Sequence, residues 1–261
     1  MSGPRIGLID IETAPIQANV WGLFDQNVGL NQINLEWAII SFCYMPLNGK
    51  RSDLIYMDTS AKADPRDDYE LCGKLWEIMH ENDFLIAQNG KRFDMRKIRA
   101  RLIMHGFPPP SPVRVLDTML MARSVAAFTS NKLEWLTTYL SKQQKSKHKD
   151  FPGFELWKEC LAGNPKAWAS MRKYNIPDVT TMKDVYLRLR PWVANHPNLA
   201  VYSDDEKLAC PVCASHKVEE NGYTFTDVGK YQRYLCTSCG AWSRSRYTLS
   251  SKDKRKALLA S

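Results

Sequence analysis

The chain has 261 residues and a formal net charge of +8. That length suits one sizeable α/β domain with a small appendage, or two modest domains. No stretch approaches the roughly 18 uninterrupted apolar residues of a membrane span, and the N-terminus has no apolar signal core, so a soluble, cytoplasmic protein without membrane partners is expected. The basic balance favours a polyanionic partner. Segments 91–101, "KRFDMRKIRAR", and 243–256, "SRSRYTLSSKDKRK", each hold six basic residues against one acid, and 142–149, "KQQKSKHK", adds four lysines.

In chain order, "RIGLIDIE" (5–12), "WAIISFCYM" (37–45) and "DLIYMDT" (53–59) read as strands, with Asn48-Gly49 predicting a hairpin turn between the second and third. Residues 67–82 form a helix with Leu71, Leu75, Ile78 and Met79 at helical spacing and acids in its first turn. "FLIAQ" (84–88) is a short buried strand, "FDMRKIRARLIMHG" (93–106) a helix closed by Gly106, "PPPSP" (108–112) a rigid loop, and "VRVLD" (113–117) a fifth strand. From 118 to 195 the pattern is mostly helical, over 131–140 with Asn131 as the cap, over 154–163 and over 165–190. Residues 193–207 read as a linker, and the alternating segments beyond it as a β-hairpin module. The expected fold is α/β, a mixed sheet flanked by helices, followed by a small β unit. The boundaries fall at 1–195, 196–206 and 207–261.

Acids stand where apolar residues belong. Asp10 and Glu12 interrupt the first strand two residues apart and so share one face. Two carboxylates side by side repel each other and are costly to bury. Asp94 starts the face of its helix that also carries Ile98 and Leu102, although a helix N-terminus alone favours an acid. Asp178 sits in the stripe Met171, Tyr174, Met182, Val185, Leu189, in the place of a Leu or Val. Pro177 requires that the helix kink there, or restart with Asn175 as its cap. One economical explanation covers all four acids: they converge on hard divalent cations, two Mg²⁺ or Mn²⁺ that act on a phosphodiester.

These residues also resemble a known family. "DIET" with Asp10 and Glu12, "NGKRFD" with Asn89, Phe93 and Asp94, and "YNIPDV" with Tyr174 and Asp178 are similar, in order and separation, to the three motifs of the DEDDy branch of DnaQ-like 3′–5′ exonucleases, over residues 4–192. The segments "VWGLFDQNVGLNQI" and "GFELWKECLAGNPKAWASMRKYNIPDV", with the cysteine tail, look like ribonuclease-H-like exonucleases of bacterial viruses and prophages. The resemblance implies a five-stranded mixed sheet with three strands in an antiparallel meander. It also implies release of 5′-mononucleotides from 3′ ends, in phage or prophage DNA replication or repair in the host cytoplasm. Asp10, Glu12, Asp94 and Asp178 would hold the metals, and Tyr174 would orient or help deprotonate the attacking water. With an ordinary pKa of about 10, a tyrosine positions that water more readily than it takes its proton.

Other residues carry two readings each. Asp117 is a fifth ligand or, better, a strand-end acid capping the helix from Thr118. His148 touches phosphate or is a solvated loop residue. Thr13, Asn89 and Phe93 are candidate contacts to the terminal nucleotide, while Trp21 and Phe24 stack on a base or pack over the sheet.

Of the seven cysteines, Cys43, Cys72 and Cys160 read as reduced core residues. Cys210, Cys213, Cys236 and Cys239 form two C-x-x-C pairs separated by 22 residues, the spacing of a structural four-thiolate Zn²⁺ site. His216 is an unneeded alternative ligand. Tyr223, Phe225, Tyr231, Tyr234 and Trp242 interleave with Lys230, Arg233, Arg244 and Arg246, which suits single-stranded nucleic acid or, alternatively, a small core that docks a protein. Three functions follow: a two-metal exonuclease on single-stranded DNA; the same chemistry on RNA; or an inactive nucleic-acid-binding or replisome-docking adaptor. With no polymerase domain in the chain, proofreading needs a replication protein or polymerase as partner.

Overall fold

A computed structural model describes residues 3–142 and 150–259, so His148 lies outside the described residues. Two compact units emerge, one spanning residues 5–186 and the other containing Leu187 onward.

The first unit opens with β1 (Ile6–Ala14), whose hydrophobic run places it at the centre of a sheet. A short ribbon of β2 (Gln17–Ala18) and β3 (Ile33–Leu35) follows, then β4 (Ala38–Pro46) and β5 (Ile55–Asp58). Next come α1 (Tyr69–Glu81), β6 (Phe84–Ala87), α2 (Asp94–Met104), β7 (Arg114–Asp117), α3 (Thr118–Val125), α4 (Leu133–Leu140), α5 (Glu155–Leu161) and α6 (Pro165–Leu189). The main sheet has five strands in the order β5-β4-β1-β6-β7. β1, β4 and β5 form an antiparallel meander, and β6 and β7 add in parallel through helical crossovers. This is the mixed sheet that the motifs imply.

Period-two alternation sorts β1 between two cores. Ile9 and Ile11 join Leu71, Leu75, Ile98 and Leu102, the apolar stripes of α1 and α2. Ala14 lies in the other core with Leu156, Trp168 and Met171 from α5 and α6. Asp10 and Glu12 therefore emerge on the α6 side. A buried ion pair ties the α1 side together. Asp68 accepts from Arg101 Nε and Nη2 at 2.7 Å each and from the Ile39 N–H at 2.9 Å, with His105 Nε2 at 2.6 Å from Oδ1.

The turn at Asn48-Gly49 does lie in the hairpin connection between β4 and β5, where Gly49 N–H donates to the Pro46 carbonyl at 3.0 Å; a 3₁₀ turn at Arg51–Asp53 lengthens that connection. Two local expectations are corrected. Asn131 is not the cap of α4. Lys132 precedes that helix, and the Asn131 carbonyl accepts from Gln88 Nε2 at 2.7 Å. Nor does α6 restart at Asn175: it runs through Pro177 as one helix, and Asn175 uses its side chain elsewhere.

In the second unit a 3₁₀ turn at Leu199–Tyr202 buries Leu199, whose N–H donates to the Pro211 carbonyl at 2.7 Å. β8 (Val218–Thr226), β9 (Gly229–Cys236) and β10 (Trp242–Arg244) make a three-stranded antiparallel sheet, followed by the short basic α7 (Lys252–Lys256). Its core is small, with Cys210, Val212, Cys236 and Ala241 buried together. This is the fold of a small zinc ribbon.

Candidate functional site

The acid site begins where β1 outruns its parallel neighbour. β6 pairs with β1 only from Ile6 to Leu8, so on that side the backbone from Ile9 onward lacks a strand partner. The Asp94 carboxylate takes over there: Oδ1 accepts from the Ile11 N–H at 3.3 Å. On the other side β4 stays paired, with Asp10 opposite Cys43 and Glu12 opposite Ser41, until a register shift between Glu12 and Thr13. A bulge at such a point re-aims side chains.

α6 closes the site from the opposite face. Carboxylate oxygens of Asp10, Glu12 and Asp178 all lie within 4.8 Å of one another, although about 166 residues of sequence separate the first two from the third. Asn175, one helical turn before Asp178, donates from Nδ2 to Asp10 Oδ2 at 2.6 Å. Residues three apart share a helix face, so this pair was legible as one face, yet the amide's role was missed because asparagine also reads as a cap. Tyr174 lies on the same helix, with its ring edge-on to Trp157 at 6.3 Å between centroids.

Asp94 is not in the three-acid group. It is 2 % exposed, and burial pushes its pKa up to about 7, with the Asp117 charge adding to the rise and the N–H groups of Asp94 and Ile11 opposing it. Its loop is held by Asp117. Oδ1 accepts from the N–H groups of Asn89, Met119 and Leu120 at 3.1, 3.1 and 3.2 Å, and Oδ2 from Lys91 N–H at 3.1 Å. Asp117 thus caps α3, as its position after the strand suggests, and also anchors the loop before α2. Asn89 adopts φ of 59°. A Cβ on Gly90 would meet Ala87 Cβ at 2.4 Å, so only glycine lets this loop lie so close to β6.

Asn89, Phe93 and Thr13 all border these elements, Phe93 being partly exposed. Trp21 and Phe24 do not pack over the sheet. They are 97 % and 84 % exposed, on the segment between β2 and β3.

The donor set fits hard divalent cations. Three carboxylates converge, and the buried Asn175 Oδ1 beside them has no hydrogen-bond partner among the described residues. Oxygen donors without thiolate or imidazole suit Mg²⁺ or Mn²⁺.

The second cluster is built from two equivalent knuckles. Ala214 N–H donates to the Cys210 carbonyl and Gly240 N–H to the Cys236 carbonyl, both at 2.8 Å. Ala214 and Gly240 take φ of 58° and 79°. The four sulfurs lie within 4.8 Å of one another, with Cys210–Cys239 and Cys213–Cys236 at 3.7 Å. Four thiolates about 2.3 Å from a tetrahedral zinc would stand about 3.8 Å apart. Burial pushes Cys210, Cys213 and Cys239 up to about 11. It also opposes the Cys236 thiolate, but the N–H groups of Cys239 and Ser238 outweigh it and lower that pKa. His216 is no ligand: Nε2 lies 3.3 Å from Asp205 Oδ2, and Nδ1 lies 3.1 Å from the Leu208 carbonyl. Cys43, Cys72 and Cys160 are buried free thiols, as expected.

Among the ribbon's aromatics, Lys230 lies 3.8 Å over Tyr223, Arg233 4.7 Å over Trp242 and Arg244 4.0 Å over Tyr231. Three of the interleaved aromatics are therefore paired with cations.

A sequence model described as the RNase H superfamily matches residues 29–190, a span that contains Asp94, Tyr174 and Asp178 and begins after Asp10 and Glu12. No curated protein matches the chain by sequence. Among solved structures, the chain is similar to the family B DNA polymerase from the hyperthermophilic archaeon Pyrobaculum calidifontis, with a TM-score of 0.51 and 12 % identity. The match covers 73 % of this chain and 26 % of that polymerase, and the likeness is one of fold.

Proposed function

Because the chain belongs to the RNase H superfamily, we propose that it is a metal-dependent 3′–5′ exonuclease of the DEDDy type, releasing 5′-mononucleotides from single-stranded DNA. The convergence of Asp10, Glu12 and Asp178 at one rim of the sheet carries this reading. In it, these three acids and Asp94 hold two Mg²⁺ or Mn²⁺. When bound, such ions acidify the attacking water and neutralise charge on the phosphate and the leaving 3′-oxygen.

The chain's own groups position the rest. Asn175 fixes the Asp10 carboxylate through its 2.6 Å bond. Asp117 holds the loop that delivers Asp94. Tyr174 orients the water from one turn before Asp178, and Thr13, Asn89, Phe93 and Trp21 contact the terminal nucleotides. Cys210, Cys213, Cys236 and Cys239 hold one structural Zn²⁺, which stabilises a module of too little core to fold alone. That module, read from sequence as residues 207–261 after a 196–206 linker and an exonuclease domain over 1–195, grips nucleic acid; the compact units divide at residue 187 instead, so 187–206 group with the ribbon. A phage or prophage replication or repair system, with a polymerase or other replication protein as partner, is the setting that the family resemblance supports.

The test is an assay on 5′-labelled single-stranded DNA and RNA with Mg²⁺ or Mn²⁺, comparing the protein with its Asp10→Ala and Asp178→Ala variants. A ladder shortened from the 3′ end on DNA, absent in both variants, is expected. A ladder on RNA alone would reassign the substrate. Cleavage of neither, with binding intact, would make the protein an adaptor.

A further inference from the structure

The second unit contains two neighbouring pockets, of 560 and 440 Å³, that share Pro191, Trp192 and Trp242. Their volumes fall in the range of small-molecule sites. His196, Arg244 and Arg246 line the larger and Arg188 the smaller. No acid lines either one among the described residues.

Both tryptophans stay open to a ligand. Trp192 is 74 % exposed and Trp242 52 %, far more than a folded chain normally leaves for indoles without a partner. Trp242 is also held in place: Arg233 lies over its ring at 4.7 Å, and its strand pairs Trp242 with Leu235. Indoles that share their pockets with guanidinium groups match a ligand that alternates flat rings with anionic links. A peptide would supply neither at each step, and an isolated anion would leave the indoles unused.

We infer that Trp192 and Trp242, with Arg188, Arg244 and Arg246, form a binding site for successive nucleotides of a single strand, with bases against the indoles and phosphates against the arginines. This deepens, and rests on, the proposed action on nucleic acid, since it supplies a grip on the strand through residues other than the acids. Stacking on an aromatic residue contributes about 1–3 kcal/mol per base, so losing one indole should weaken binding by about 5- to 150-fold.

The experiment uses the full, zinc-loaded chain and a fluorescein-labelled phosphorothioate oligothymidylate, which resists hydrolysis, with anisotropy read across a salt series. Trp192→Ala, a change at an exposed position, should weaken binding at least about fivefold with an unaltered salt slope. Trp242→Phe should retain most of the affinity. Arg244→Gln and Arg246→Gln should each flatten the slope by about 0.7, one phosphate's share for single strands. Affinity and slope unchanged in Trp192→Ala and in both arginine variants, with zinc content and melting intact, would overturn the inference. Cleavage of a dinucleotide, which does not require a grip on a longer strand, separates this outcome from failure of the hydrolytic reading. If the acids hydrolyse it while those variants bind normally, only the pocket is lost; if nothing is hydrolysed while Trp192→Ala still weakens binding, only the chemistry is.

Discussion

The acid cluster and the cysteine cluster solve the same problem, gathering several potential metal ligands, by opposite routes. Each cysteine pair lies inside one tight turn, and the two turns repeat the same hydrogen bond and the same positive φ. Half of that site is fixed by five consecutive residues. The acid site has no such local unit: β1 supplies two carboxylates, α6 a third, and the α2 loop a fourth that stands apart on the Ile11 N–H. The sheet register and helix docking, not a turn, place these groups. A local site needs its metal to hold the surrounding chain, whereas a site assembled by a large core can tolerate an empty centre.

That contrast is most sharply broken through the ribbon. Replacing Cys213 by Ser, or stripping the metal, should remove binding energy on the order of 10 kcal/mol and unfold the second unit. Hydrogen exchange should then show β8, β9 and β10 unprotected while β1, β4 and β6 keep their protection. Retained protection after complete chelation would mean that the ribbon is held by its own packing.

The first unit should instead depend on its buried ion pair. Removing one partner of such a pair costs about 3–5 kcal/mol, so Asp68→Asn should lower the unfolding free energy of the first unit by that much, read as a lower urea midpoint. Burial pushes the Asp68 pKa up, but the bonds from Arg101, Ile39 and His105 and the Arg101 charge outweigh it and hold the carboxyl below its usual range. The stability it contributes is therefore complete above the unfolded value of about 3.9 and is lost as pH falls through the lower folded value. A urea series should show that acid loss in the native protein and not in Asp68→Asn.

At the acid centre the expectation reverses, with a large effect on chemistry and little on folding. Asp178→Asn should slow hydrolysis by on the order of 10³-fold, about 4 kcal/mol of barrier. It should leave the melting temperature unchanged or raise it, because one of three crowded carboxylates is neutralised. A large fall in melting temperature would mark Asp178 as a structural acid.

Asp117→Ala gives a smaller test of the scaffold. Losing a helix cap that also serves two loop N–H groups should cost about 2 kcal/mol, and activity should fall through the displaced loop of Asp94. An activity that survives this loss of stability would separate the loop from the chemistry.

Much of this was legible in the residues. The strands, the helices with apolar stripes and the cysteine knuckles all carry short-range signals. The misplaced acids were visible because each one breaks an apolar pattern. What stayed hidden depended on partners distant in the chain. Nothing near Asn175 distinguishes a cap from a group bound to Asp10, and nothing near Asn48-Gly49 announces the 3₁₀ turn at Arg51–Asp53 that lengthens the hairpin connection. Asp94 looked equivalent to the other acids, and only the early end of β6 explains why it bonds to the backbone of β1.

Periodicity and turn chemistry, which act over a few residues, already single out the candidates. Which of them meet is a matter of the assembled fold. Strand register and helix docking set distances between groups far apart in the chain, and no local pattern encodes that separation.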